Sequence, residues 1–245
     1  IIYIYIYIYI YFMIKVFGTS HSRVFKKLKL DKYSIDCENI SGATLVGLPK
    51  RTSTLDIKNR IITYLKKNKP NFLVLNFGQV DIDLTYYYKI VVKGENINKK
   101  KYIEDLISCY KKFILELLEY IDKEKIIIFG INPPALIDKE SCFKYTSRII
   151  FNKNSISNDL LKSNIESIEE RTNFSKLFNI KLNEMCIKNN IKYTMAFNEF
   201  LNSKNIVSHF FTSNNDHHLR GIENDKCNYE PTNRLFKEKL ELIIS

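Results

Sequence analysis

The chain carries four histidines, His21, His209, His217 and His218, and three of them stand beside residues suited to nucleophilic chemistry. His21 lies in Gly18-Thr19-Ser20-His21-Ser22-Arg23, directly after an apolar run. A serine at a strand-to-helix turn gains from the free N–H groups of the helix start, which favour developing negative charge. The plainer reading is that Ser20 or Thr19 only caps the helix. A serine hydroxyl is a weak nucleophile and needs a base. His217 and His218 supply candidates late in the chain, in Ser213-Asn214-Asn215-Asp216-His217-His218-Leu219. A serine at an early corner with an Asp-His pair near the end suits acyl chemistry. A surface loop rich in Asn and His, or a chance metal-binding His pair, are the competing readings.

Three runs must position these groups. They are IKVFG ending at Gly18, FLVLNFG ending at Gly78 and KIIIFG ending at Gly130. Each is short, apolar and not alternating, as a strand buried on both faces reads. A glycine at each end allows a sharp turn and a close approach. Residues 102–122 repeat apolar positions at three-to-four spacing and predict an amphipathic helix. Further helices are expected over 54–67, over 161–188 with a break, and over 231–243 behind Pro231. Weaker strands are expected at 33–39 and 191–197, and 136–160 reads as a long polar loop. This β-α alternation predicts an α/β fold: a parallel sheet with helices on both faces, 13–17, 72–77 and 126–129 being central neighbours. Ligands of such sheets sit beyond the carboxyl ends of the strands, where the three Phe-Gly corners fall.

Composition narrows the class. The 245 residues suit one domain, residues 13–245, and hydrophobic residues at 45% rule out general disorder. The formal charge of +11 comes from lysines scattered singly and in pairs, in a chain also rich in Ile, Asn, Tyr and Phe. These are residues of AT-rich codons, so the charge reads as a solvated surface and no nucleic-acid partner is expected. No apolar run is long enough for a transmembrane helix, so no membrane partner is expected. Five widely spaced cysteines without a CxxC pair argue against a disulfide framework or structural zinc and fit a reducing, cytoplasmic setting. Residues 1–12, IIYIYIYIYIYF, lack a starting Met and read as a non-native or disordered leader before Met13.

The succession GTSHSR, SGAT, NFGQVD and a late DHHL resembles the SGNH (GDSL-like) hydrolase superfamily, in its branch with a GDSH-type first block. The resemblance spans nearly the whole chain from Met13. It implies a flavodoxin-like three-layer sandwich and ester hydrolysis by a Ser-His-Asp triad, with no cofactor or metal. Carried over, Ser20 matches the nucleophile and His218 the base. The backbone of Ser20, Gly42 and Gly78 falls in the oxyanion blocks. His21, Arg23, Gln79, Asp81, Asn215 and His217 are the surrounding pocket.

Three positions depart from the pattern. Thr19 stands in place of Asp. Val80 stands where the family has Asn as an oxyanion donor, and loss of such a donor costs about 10²–10³ in turnover. Gln79, on a segment read as extended, points away from Val80. Asn215 stands where the family has the triad Asp, and Asp216 is the nearest carboxylate. The resemblance therefore implies a serine esterase or deacylase acting on a small-molecule or glycan ester. A second reading is an inactive glycan-binding domain using Arg23, Asp81, Asp83 and Tyr86-Tyr87-Tyr88. A weaker third is a metal-dependent phosphoesterase using His217, His218, Asp216 and Asp81.

Overall fold

Continuous apolar runs split their side chains between two faces, so each needs cover on both sides. In a computed structural model that describes residues 12–50, 55–151, 158–213, 215–222 and 229–245, five parallel strands obey this rule. They are β1 (Phe12–Gly18), β2 (Tyr33–Asn39), β3 (Phe72–Asn76), β4 (Ile126–Phe129) and β5 (Lys192–Thr194). Their order is β2-β1-β3-β4-β5, with β1, β3 and β4 central as the sequence predicts. The leader lies outside the described residues except Phe12, which is the first residue of β1 and pairs with Tyr33.

Leu73, Leu75, Ile126 and Ile128 face one layer, built from α1 (Ile57–Lys67), α3 (Lys99–Leu117) and α6 (Ile168–Lys188). Val74, Ile127 and Phe129 face the other, where α7 (Glu230–Ile244) packs with the 3-10 segment Ser20–Lys27. There Phe236 stacks on Phe129, centroids 5.0 Å apart, and Phe25 meets both rings edge-on. The result is the three-layer sandwich. Lys15 interrupts the apolar run of β1 and is neutralised by Asp36 at 2.8 Å.

Two sequence expectations need correction. The stretch 136–160 is not a loop: it holds α4 (Lys139–Ile150), capped by Asp138 accepting the Ser141 N–H at 2.7 Å. α5 (Asn158–Asn164) follows before α6. The buried stripe of α4 is Cys142, Thr146 and Ile150, spaced four apart but too weakly apolar to register as a period. Gln79 and Val80 are also not extended. They open a helical stretch that continues through a π-helical turn, Asp81–Thr85, into α2 (Tyr86–Val91).

Just past β4, both backbone groups of Ile131 are held by one buried side chain. Asn179 of α6 accepts the Ile131 N–H and donates to the Ile131 carbonyl, both at 2.9 Å. Asn179→Ala leaves two buried backbone groups unpaired, each costing about 1–3 kcal/mol. Urea denaturation is expected to register a loss of roughly 2–4 kcal/mol, with the near-native midpoint recovered only by a side chain that both donates and accepts.

Candidate active site

The strand order reverses between β1 and β3, and there the carboxyl ends of neighbouring strands part into a crevice. β1 ends at Gly18. A Cβ at this position would lie 2.7 Å from the Asn76 carbonyl and 2.7 Å from the Ser22 Cβ, so only glycine permits the corner. Thr19 takes the capping role, its Oγ1 accepting the His21 N–H at 3.4 Å. Ser20 is thereby free to point elsewhere.

It points at a histidine 198 residues away. His218 Nε2 lies 2.7 Å from Ser20 Oγ, and His218 Nδ1 lies 2.6 Å from Asp216 Oδ1. A carboxylate only accepts, so Nδ1 carries the proton and Nε2 presents its lone pair to the serine hydroxyl. Asp216 Oδ1 also accepts the His218 N–H at 3.3 Å. Burial pulls the His218 pKa below the usual imidazole value, against the opposing bond from Asp216. For Asp216, burial pushes up, but the hydrogen bond and charge of His218 outweigh it and hold the carboxyl low. Asn215 is exposed and outside the chain of bonds.

Gly42 sits on the turn after β2 at φ +75° with open space around it. Its loop is tied down on both sides. The Ile40 N–H donates to the Gly18 carbonyl at 2.8 Å, and the Leu45 N–H donates to Asp81 Oδ2 at 2.9 Å. Asp81 is fully buried, and burial pushes its carboxyl up to about 7. It braces the loop and does not line the pocket. Gln79 is likewise a brace: its amide donates to Asp83 at 2.9 Å and to the Asn132 carbonyl at 3.2 Å, and accepts the Asn132 N–H at 2.8 Å. Gly78, at φ +114°, is set back from the cleft, and a Cβ there would strike Phe178 at 2.6 Å.

Ser20, Gly42, His217 and His218 open onto a cleft of about 480 Å³. Arg23, Ser41, Thr44 and Thr85 add polar groups, while Val80, Leu84, Tyr88, Tyr145, Ile149 and Ile150 form an apolar wall. Three of these, Tyr145, Ile149 and Ile150, come from α4 and were invisible once 136–160 was read as a loop. Asp138 ahead of a Cys142/Thr146/Ile150 spacing is the signal that could have found them. Of the tyrosine run only Tyr88 reaches the cleft; Tyr86 and Tyr87 are core residues, Tyr86 packing on Phe174.

His21 does not line the cleft. It is buried with its ring 4.3 Å from His218 and 4.5 Å from His217, and its Nε2 is 3.3 Å from the His217 carbonyl. His217 stacks on Tyr145 at 4.7 Å, with Nδ1 3.6 Å from Asp83. The ligand set His217, His218, Asp216 and Asp81 is not assembled, since Asp81 is engaged with Leu45. Among the described residues it is instead His21, His217 and His218 whose ring nitrogens come within 4.8 Å of one another. Cys37, Cys109, Cys142 and Cys186 are free thiols, and no helix among the described residues is long and apolar enough to cross a membrane.

No family model and no curated protein sequence matches the chain. Solved structures do. A Streptococcus pneumoniae protein named for platelet activating factor is 12% identical with a TM-score of 0.53, covering 98% of this chain and 87% of its own. A gut microbial diltiazem-metabolizing enzyme is 13% identical with a TM-score of 0.54, covering 94% of this chain and 47% of its own. A GDSL-like lipase of Bacteroides thetaiotaomicron is 14% identical with a TM-score of 0.48, covering 94% and 88%. By its strand order and by the two likenesses with TM-scores of 0.53 and 0.54, the chain has a three-layer α/β fold with a parallel sheet, shared with these solved structures.

Proposed function

We propose that the chain is a serine ester hydrolase of SGNH type, acting on a small acyl or acetyl ester, including one carried on a glycan. The observation that carries the reading is the hydrogen-bonded series Asp216–His218–Ser20 opening onto a cleft. Ser20 Oγ attacks the ester carbonyl while its proton passes to His218 Nε2. Asp216 stabilises the imidazolium that forms. His218 then returns the proton to the leaving alkoxide, which departs as an alcohol and leaves an acyl-serine. Water, deprotonated by His218, releases the acid and restores Ser20.

The oxyanion is held by backbone N–H groups, with Ser20 and Gly42 as the donors; Gly78 lies too far back. Val80 lines the cleft where a third, side-chain donor belongs. That one apolar residue is also what favours the second reading, a ligand-binding domain without turnover. The apolar wall suits the acyl or aryl part of a small ester. Among the described residues, a glycan platform has the rings of Tyr88 and Tyr145 to draw on.

Three outcomes test the reading. Against p-nitrophenyl acetate, Ser20→Ala and His218→Ala should each abolish turnover, with the double variant no worse than either, because such groups act as a unit. Wild-type chain that hydrolyses no ester would instead support the binding domain. Activity should also follow neutral His218: its folded pKa lies below the usual imidazole value, so the acid limb of kcat/KM should have its midpoint below about pH 6.5, with activity falling as the buffer becomes more acidic. Finally, Val80→Asn should raise kcat, with about 10²-fold as the upper bound for one added donor.

A further inference from the structure

The Ser-His-Asp series leaves unexplained why two more imidazoles crowd the same base. His21 is 1% exposed and His217 8% exposed, and neither has a step in ester hydrolysis. Three buried histidine rings in mutual contact are electrostatically poor company, since protonating any one burdens the others. Their contacts are nonetheless specific. His21 Nε2 faces the His217 carbonyl at 3.3 Å. A carbonyl only accepts, so Nε2 bears the hydrogen and Nδ1 keeps a lone pair. That Nδ1 is buried without a hydrogen-bond partner, and so is His217 Nδ1. Orphaned buried ring nitrogens are rare and call for an occupant.

We propose that His21, His217 and His218 form a binding site for a single zinc-type divalent ion, whose occupancy excludes the Ser20–His218 hydrogen bond. One ring nitrogen from each histidine lies within 4.8 Å of the others. Tetrahedral zinc at 2.0–2.1 Å from each nitrogen needs them roughly 3.4 Å apart, so binding requires the rings to turn inward on the ion. His218 has both nitrogens engaged, at 2.7 Å to Ser20 and 2.6 Å to Asp216. The ion takes Nε2, because the neutral hydroxyl is the weaker competitor and the charged Asp216 bond is the one that zinc-bound histidines keep on their far nitrogen. Water fills the fourth position. Entry is through the cleft, which His217 and His218 both line. Zinc is chosen because it binds imidazole without redox chemistry. The consequence for turnover rests on the proposed serine chemistry: a metal-loaded His218 has no lone pair for the Ser20 proton, so the ion is an inhibitor.

The test uses the full chain stripped with a chelator and titrated with Zn²⁺ against a chromophoric competitor, with Co²⁺ absorption reporting coordination. One ion per chain is expected, with the intense visible bands of tetrahedral cobalt. His21→Phe and His217→Phe should each weaken binding by on the order of 100-fold, while His209→Ala, an exposed histidine, should not. Ser20→Ala should tighten binding about fivefold, because it removes the competing hydroxyl. That variant needs no buried substitution in the trio and decides the matter if a Phe variant fails to fold. Zn²⁺ that does not saturate at one ion, or that binds equally to wild type and Ser20→Ala, overturns the proposal. So does ester turnover that rises with Zn²⁺. A metal-free chain without esterase activity would sink the hydrolase reading alone, since binding and the Ser20→Ala linkage are read from the metal.

Discussion

The bond between Ser20 Oγ and His218 Nε2 joins residues 198 positions apart, and it depends on how the carboxyl edge of the sheet is laced. The Thr19 N–H donates to the Asn76 carbonyl at 3.1 Å, locking the β1 corner to the end of β3. The Ile40 N–H donates to the Gly18 carbonyl, locking the exit of β2 to the same corner. The Asn76 amide reaches the other way, to the Phe129 and Gly130 carbonyls at 3.1 Å each, and so fixes β4. Four strand ends therefore share one rigid rim. A side chain that rises from it has its position fixed by backbone hydrogen bonds and not by loop conformation, and a serine held this way can meet a distant base with little loss of entropy.

That rim explains the electrostatics above it. The three imidazoles and Arg23 gather positive or potentially positive groups beside one partly buried carboxylate, Asp216. Burial acts first on the His21 and His218 rings and disfavours their charged forms. Neutral His21 and His218 beside an ionised Asp216 are thereby favoured, the state in which His218 can accept a proton. Of the three rings, among the described residues, His218 alone has a carboxylate in hydrogen-bonding contact, and that contact favours its imidazolium form. His217 meets Asp83 at 3.6 Å, beyond a hydrogen bond. The base is singled out among three similar rings by one carboxylate contact.

The strands and the hydrogen-bonded series of Ser20, His218 and Asp216 were legible in the sequence for one reason: both are written in strong local signals. Central parallel strands must be apolar throughout, and the Phe-Gly corners mark where they end. Asp216, His218 and Ser20 follow from the order of short motifs on that frame. What stayed hidden are side chains whose polarity contradicts their burial. Asp81 and Gln79 read as pocket residues because they are polar beside the corner, yet both are spent on backbone groups of neighbouring loops. His21 reads likewise, and lies beneath the site. α4 failed in the opposite way: Cys142 and Thr146 bury a face without looking apolar, so the wall they support, with Tyr145 and Ile150, had no periodic trace.

The consequence for catalysis turns on Val80. Had its segment been extended, a neighbouring amide would have faced away by alternation. It is helical, and successive helical side chains diverge by about 100°, so Gln79 is again directed elsewhere, onto Asn132 and Asp83. Among the described residues the cleft therefore has no side-chain amide lining it, and in the proposed chemistry the oxyanion is left to backbone N–H groups at Ser20 and Gly42. Their effect is strengthened by surroundings of Val80, Leu84, Ile150 and Tyr145, because the same dipole acts more strongly where water is excluded. Val80 thus removes one donor and dries the site of the remaining two. Under the proposed serine chemistry, the balance of these effects favours esters whose alkoxide leaves easily, for which little oxyanion stabilisation is needed, over amides, for which the full set of donors is needed.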